Sequence, residues 1–96
     1  MKISINTKQI QSVCDEENII YLGLFGSRAR GDTNIKSDVD LLVEFDGIKS
    51  YFELARIQQE LESIFKSKVD LVMKNNIKQT LKPYILKDLI TLYEKR

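Results

Sequence analysis

Three apolar runs along the chain predict β-strands. They extend from Ile19 to Phe25, from Asp38 to Phe45 and from Lys68 to Met73. Each run is rich in branched and aromatic residues, which favour extended backbone. The sequence GSRARG from Gly26 to Gly31 predicts a tight turn followed by one turn of helix. The polar stretch 32–37 then predicts a loop that leads into the second strand.

Apolar residues spaced three and four positions apart predict three longer helices. The first begins at Asn6 or Thr7, and the second begins at Ser50, which is placed to form a capping box with Glu53. The third has Pro83 in its first turn, where proline is well tolerated. In chain order, the apolar positions of the three helices are Ile10, Val13 and Cys14; Phe52, Leu54, Ile57, Leu61, Ile64 and Phe65; and Ile85, Leu86, Leu89, Ile90 and Tyr93.

The order helix, strand, strand, helix, strand, helix predicts an α/β fold of the α+β kind. In such a fold, helices cover one face of a small mixed β-sheet. A chain of 96 residues has room for one hydrophobic core, so we expect a single domain over residues 1–96.

The charge balance and the absence of histidine narrow the possible functions. The 15 Lys and Arg nearly cancel the 14 Asp and Glu, and a net charge of +1 gives no overall attraction to a membrane or to DNA. Without histidine, neither Ser-His-Asp catalysis nor the usual catalytic zinc site is possible. Carboxylates must therefore carry any chemistry. Cys14 is the only cysteine and the amino terminus lacks the apolar stretch of a signal peptide, so we expect a cytoplasmic protein.

Two aspartates at the start of the second predicted strand form a candidate metal site. Asp38 and Asp40 are separated by one residue, so on a strand both side chains project to the same side, with Cα atoms roughly 7 Å apart. Such a pair repels itself unless a cation such as Mg²⁺ neutralises it. Asp70 on the third predicted strand is a candidate third acid and general base. The alternatives are a solvated Asp38–Asp40 pair and an Asp70 that pairs with Lys68.

The turn after the first strand forms a candidate phosphate site. Gly26 permits close approach of the backbone, and Ser27 adds a hydroxyl donor at the start of a helical turn. Arg28 and Arg30 lie in the same turn, and either guanidinium has the geometry to bind phosphate. The alternatives are that Ser27 is only a helix N-cap and that both arginines are solvated.

The segments GSRARGDTNIKSDVDLLVEF and KVDLVM together resemble the minimal nucleotidyltransferase (MNT) family of the polymerase β superfamily. The resemblance implies a polymerase-β-like core, ATP or another nucleotide as donor, and phosphates held at Gly26-Ser27. It also implies Mg²⁺, with two ions as in a two-metal site, at Asp38 and Asp40, with Asp70 completing the acidic triad. Free-standing proteins of this size resemble the antitoxins of HEPN–MNT modules, which transfer AMP to a tyrosine of a HEPN ribonuclease toxin.

Two other functions are compatible with the same residues. One is a small-molecule nucleotidyltransferase of the aminoglycoside-modifying kind, but those enzymes usually carry an additional helical domain for the acceptor. The other is a non-catalytic antitoxin that acts by binding alone. The four tyrosines are expected to pack against the sheet or the helices, unless one of them stacks on a base: Tyr21, Tyr51, Tyr84 and Tyr93.

Overall fold

The computed structural model describes residues 6–31 and 38–95. Its described residues form one mixed sheet of four strands with helices packed against it. The strands are β1 (Ile19–Phe25), β2 (Val39–Phe45), β3 (Val69–Met73) and β4 (Ile90–Glu94). The helices are α1 (Thr7–Glu16), α2 (Ser27–Arg30), α3 (Tyr51–Phe65) and α4 (Lys82–Lys87), and a short 3₁₀ turn covers Lys74–Asn76. The predicted loop 32–37 lies outside the described residues.

The sheet has the strand order β3-β2-β1-β4. Strand β1 is antiparallel to both of its neighbours, β2 and β4. Strands β2 and β3 are parallel, and α3 lies between them in the chain, as expected for a crossover connection. The prediction of a small mixed sheet covered by helices is therefore confirmed.

The two long helices begin where the sequence predicts. The side chain of Asn6 accepts a hydrogen bond from the Gln9 N–H at the start of α1. At the start of α3, the Glu53 N–H donates to the Ser50 hydroxyl (3.1 Å), and the Ser50 N–H donates to the Glu53 carboxylate (3.0 Å). These bonds satisfy backbone donors that a helix leaves open at its first turn. No helix in the described part of the chain has the length and apolarity needed to span a membrane.

The main hydrophobic core lies between one face of the sheet and the helices α1 and α3. Its fully buried members include Leu22 and Leu24 of β1, Leu41 of β2, and Ile57 and Leu61 of α3. Side chains alternate across a strand, so Asp40 and Leu42 face the opposite side of the sheet. There, Leu42 joins a smaller cluster with Tyr21 of β1 and Ile85 of α4. Helix α4 therefore covers part of the second face, in addition to the face that the sequence predicted to be covered.

Helix α3 also bonds to the outer edge of β3. The Gln58 side-chain amide donates to the Val69 carbonyl (2.8 Å), and the Val69 N–H donates to the Glu62 carboxylate (3.0 Å). Since β3 is an edge strand, these backbone groups have no neighbouring strand to bond to. Side chains of the helix take the place of that strand at Val69.

The C-terminal segment differs from the prediction. The expected helix through Tyr93 ends at Lys87, and Ile90–Glu94 forms β4 against β1. The apolar spacing fits a helix, but pairing with the free edge of β1 favours the extended form for the β-formers Ile90, Thr91 and Tyr93. Tyr21 and Thr91 share a hydrogen bond between their hydroxyls (2.9 Å) across this pair of strands.

Candidate active site

The carboxylate of Asp40 lies directly against the backbone of Gly26. Gly26 directly follows β1 and has φ +79° and ψ −156°, a backbone conformation essentially restricted to glycine. A Cβ atom at this position would overlap Asp40 Oδ2 and lie 3.2 Å from Asp40 Cγ. The pairing of Phe25 with Asp40 in the sheet brings the two together. Gly26 is therefore required both for its conformation and for the space beside the carboxylate.

The structure brings the three predicted acids together at one end of the sheet. Asp40 and Asp70 are direct partners in the register of the parallel strands β2 and β3, which lie about 4.8 Å apart. Asp38 is exposed and comes one residue before β2. Burial of Asp40 raises the pKa of its carboxyl, and the negative charges of Asp70 and Asp38 raise it further. Asp38 and Asp70 are therefore each close enough to Asp40 to influence its ionisation.

Gly26 and Ser27 lie at the start of α2, beside this acidic group. Gly26 occupies the N-cap position and Ser27 is the first helical residue, so the alternative of Ser27 as the N-cap is wrong. The turn closes with the Arg30 N–H donating to the Gly26 carbonyl (3.2 Å). Strand, tight turn and helical turn thus follow each other as predicted.

The two arginines of α2 point to different partners. The Arg28 guanidinium donates to the Ser67 hydroxyl (2.8 Å), just before β3. Arg30 forms an ion pair with Asp88 (3.0 Å), and its positive charge also partly offsets the raised pKa of Asp40. Arg30 is thus within electrostatic reach of the acids. The Arg30–Asp88 pair, 58 residues apart in the chain, has no local sequence signal that could have predicted it.

The acidic group fits a divalent cation that shares its coordination with a substrate. Among residues 6–31 and 38–95, no three acidic or sulfur ligands are gathered into a ready-made metal cage. Mg²⁺ usually takes only one or two carboxylates and fills its other positions with water and phosphate oxygens. Burial and, after it, the negative charges of Asp70 and Asp38 raise the pKa of Asp40, and a bound cation would favour its ionised form. Asp38 and Asp40, which the sequence predicts as its ligands, both belong to this acidic group.

Two depressions meet the acidic group from opposite sides. One, which we call the α4 cavity, has a volume of about 400 Å³ and is lined in part by Phe25, Asp40, Asp70, Ile77, Leu81 and Tyr84. The other, the α3 groove, has about 220 Å³ and is lined in part by Tyr51, Leu54, Gln58, Asp70, Leu71 and Met73. Neither depression was predicted from the sequence. Phe25 comes immediately before the Gly26 turn, and this position could have indicated an apolar wall beside the site.

Known proteins are similar to this chain in sequence and in fold. The family model described as polymerase beta, nucleotidyltransferase matches residues 8–96. The protein adenylyltransferase MntA of Thermococcus cleftensis is 32% identical over 87 residues, which are 91% of this chain and 88% of the relative.

Two solved structures share the fold at lower identity. A chain in the crystal structure of a toxin–antitoxin with AMP-PNP superposes with a TM-score of 0.77 at 22% identity, covering 96% of this chain and 76% of that chain. A chain from the complex of tri-AMPylated Shewanella oneidensis HEPN toxin with MNT antitoxin has a TM-score of 0.67 at 20% identity, covering 93% and 70%. Because the family model matches nearly all of its residues and the Thermococcus relative is 32% identical, the chain belongs to the polymerase β nucleotidyltransferase family.

Proposed function

We propose that this nucleotidyltransferase transfers AMP from ATP to a tyrosine of a HEPN ribonuclease toxin, and thereby acts as an antitoxin. One observation carries the proposal: the Asp40 carboxylate lies against the Gly26 backbone and opposite Asp70. Phosphates at the Gly26 turn would therefore meet carboxylates, a contact that is repulsive unless metal ions lie between them. A site that combines the two is built for a metal-bound nucleoside triphosphate.

Each residue of the site has a role in this reaction. Gly26 and Ser27 bind phosphate oxygens through backbone N–H groups and the hydroxyl. Asp38 and Asp40 hold Mg²⁺, with Asp70 completing the acidic triad. When bound there, Mg²⁺ would supply positive charge that offsets the charge of the phosphates and of the leaving pyrophosphate. Arg28 and Arg30 are the further phosphate-binding candidates, and Arg30 is favoured because its charge already reaches Asp40.

Asp70 is the proposed general base. It faces Asp40 across the parallel strand pair and lines both depressions, so an acceptor hydroxyl reaching it would lie beside the donor phosphates. The substitution Asp70→Asn keeps the shape of the side chain and removes its basicity. We expect the transfer rate to fall while affinity for ATP is retained. An unchanged rate would remove Asp70 from this role.

Two kinds of observation support a protein as the acceptor. The Thermococcus relative is named a protein adenylyltransferase, and one structural neighbour comes from an AMPylated HEPN toxin bound to an MNT antitoxin. In addition, large apolar side chains are exposed at and just before the start of α3, where Tyr51 lines the α3 groove: Ile48 is fully exposed, and Tyr51 and Phe52 are more than four-fifths exposed. Adjacent exposed apolar residues of this kind are typical of protein-binding surfaces. We place this antitoxin, and its reaction, in the cytoplasm.

Labelled ATP tests the proposal directly. The protein is incubated with the label, Mg²⁺ and the purified product of the neighbouring gene, and the label is then located by peptide mass spectrometry. We expect AMP on a tyrosine of the partner and none with Asp38→Asn/Asp40→Asn. Asp46→Asn is the matched control, because Asp46 is an exposed aspartate just beyond the far end of β2.

The same experiment separates the competing functions. Label on added aminoglycosides, with none on the partner, would indicate a small-molecule transferase. Inhibition of the partner's ribonuclease activity by the unlabelled Asp38→Asn/Asp40→Asn variant would indicate an antitoxin that acts by binding alone. Either result would contradict the proposed reaction.

A further inference from the structure

The α4 cavity combines three charged residues with a largely apolar wall. Asp40 and Asp70 are direct neighbours across the β2–β3 pair, and Lys78 and the polar Asn76 come from the segment between β3 and α4. The apolar and aromatic residues of its lining come from β1, β3, α4 and that same segment: Phe25, Val72, Ile77, Leu81, Tyr84 and Ile85. A ligand that fits here has a charged end at the acids and a largely apolar body that also carries polar groups.

Neighbouring residues of α4 have different environments. Ile85 is 9% exposed and packs in the small cluster with Leu42, which fixes the helix on the sheet. Tyr84, the preceding residue, is 73% exposed although it lines the cavity, and Leu81 is 51% exposed. Because Ile85 anchors the helix, Tyr84 offers an aromatic ring from a supported position. An exposed ring of this kind gains by stacking on a flat ligand.

The two depressions differ in which acids they reach. The α4 cavity is lined by Asp40, the proposed metal ligand, and by Phe25, the residue that precedes the proposed phosphate-binding turn. The α3 groove is lined by Asp70, the proposed base, and not by Asp40. A group attached to the phosphates at Asp40 therefore has the α4 cavity beside it. A hydroxyl approaching Asp70 has the α3 groove as a separate entrance.

We propose that the α4 cavity binds the base of the donor nucleotide, with Tyr84 as its stacking platform, and that the α3 groove is left for the acceptor. The assignment rests on the proposed function, since it takes Gly26-Ser27 and Asp40 as the phosphate end of the site. Stacking of a base on an aromatic side chain strengthens binding by roughly 5- to 150-fold. Tyr84 is largely exposed, so we expect an effect of about 10-fold, near the lower end of that range.

Calorimetric titration with two ligands separates base binding from phosphate binding. ATP with Mg²⁺ carries both parts, whereas inorganic tripolyphosphate with Mg²⁺ carries only the charged part. We expect Tyr84→Ala to weaken ATP binding about 10-fold and to leave tripolyphosphate binding unchanged. Tyr84→Phe retains the ring and should bind both ligands normally. Tyr51→Ala, which removes another largely exposed ring, this one from the α3 groove, should leave ATP binding unchanged.

Two results would overturn the assignment while leaving the proposed function intact. One is ATP binding that Tyr84→Ala does not weaken. The other is an equal loss of ATP and tripolyphosphate binding in that variant, because the residue would then act on the phosphates or on the fold. If the unaltered protein binds neither ligand, the proposed function fails together with the assignment. Circular dichroism of each variant verifies that it is folded.

Discussion

Substitution of Gly26 by alanine tests the central contact of the site. The conformation φ +79°, ψ −156° is one that alanine rarely adopts, and holding a residue there costs about 1–3 kcal/mol. The added Cβ would also overlap Asp40 Oδ2. Overpacking of this kind costs about 1–3 kcal/mol more. We therefore expect Gly26→Ala to lower the free energy of unfolding by about 2–6 kcal/mol.

This loss is large for a small domain. Native domains are stable by only about 5–15 kcal/mol, and in a chain of this size each kcal/mol corresponds to about 4–8 °C in Tm. Thermal unfolding followed by circular dichroism should therefore show a decrease in Tm of at least about 8 °C. Because the Asp40 carboxylate must move to make room, transfer activity should fall as well, even at temperatures where the variant is folded.

Gly31→Ala is the matched control for this experiment. Gly31 also has a positive φ of +80°, but its ψ of 18° is in the left-handed helical region. Within residues 6–31 and 38–95, an added Cβ would have no atom within 4 Å apart from those of its chain neighbours. Its expected cost is only about 1–2 kcal/mol. In the Asp40→Ala background, where the obstructing carboxylate is removed, Gly26→Ala should cost less than in the unaltered protein. Equal costs for Gly26→Ala and Gly31→Ala, or equal costs of Gly26→Ala in both backgrounds, would refute the reasoning.

Three further substitutions test the electrostatics and the helix starts. Burial and neighbouring acids raise the folded-state pKa of Asp40, so its ionised form opposes folding; Asp40→Asn should raise Tm at neutral pH, by an amount that vanishes below the ordinary pKa of 3.8. Arg56→Ala leaves the carboxylate of Glu17, whose side chain is 8% exposed, without its 2.7 Å ion pair. Urea denaturation should show a lower free energy of unfolding, part of which Glu17→Gln restores. Ser50→Ala removes one half of the capping box with Glu53. It should lower the free energy of unfolding by about 1 kcal/mol, measured by urea denaturation. An unchanged free energy of unfolding would mean that the cap contributes nothing.

The parts of the fold that depend on local sequence could be predicted. The bounds of β1 and the starts of α1 and α3 follow from an apolar run and from capping residues whose partners lie within three positions. The acidic group could also be predicted in outline. Asp38 and Asp40 are separated by one residue, and Asp70 lies in an apolar run predicted to form a strand that could bring it near them.

The parts that depend on distant contacts could not be predicted. The residues Ile90–Glu94 have spacing that fits a helix, and only the free edge of β1 makes them a strand. Gly23 was an unused signal here. A Cβ at Gly23 would lie 2.7 Å from the Leu89 side chain, so glycine in the middle of β1 leaves room for the segment that leads into β4. The pairing of Arg30 with Asp88 depends on the same chain path.

The hydrogen bonds between α3 and Val69, made by Gln58 and Glu62, affect whether the edge of β3 can pair with a strand of another molecule. An exposed edge strand offers a template on which a strand of another molecule can add, and this is a common route to aggregation. Here the helix that connects β2 to β3 already occupies the donor and acceptor of the first edge residue, next to the charged Asp70. Strand addition would have to displace these two bonds and approach the Asp70 carboxylate, so α3 disfavours the pairing of this edge with another copy.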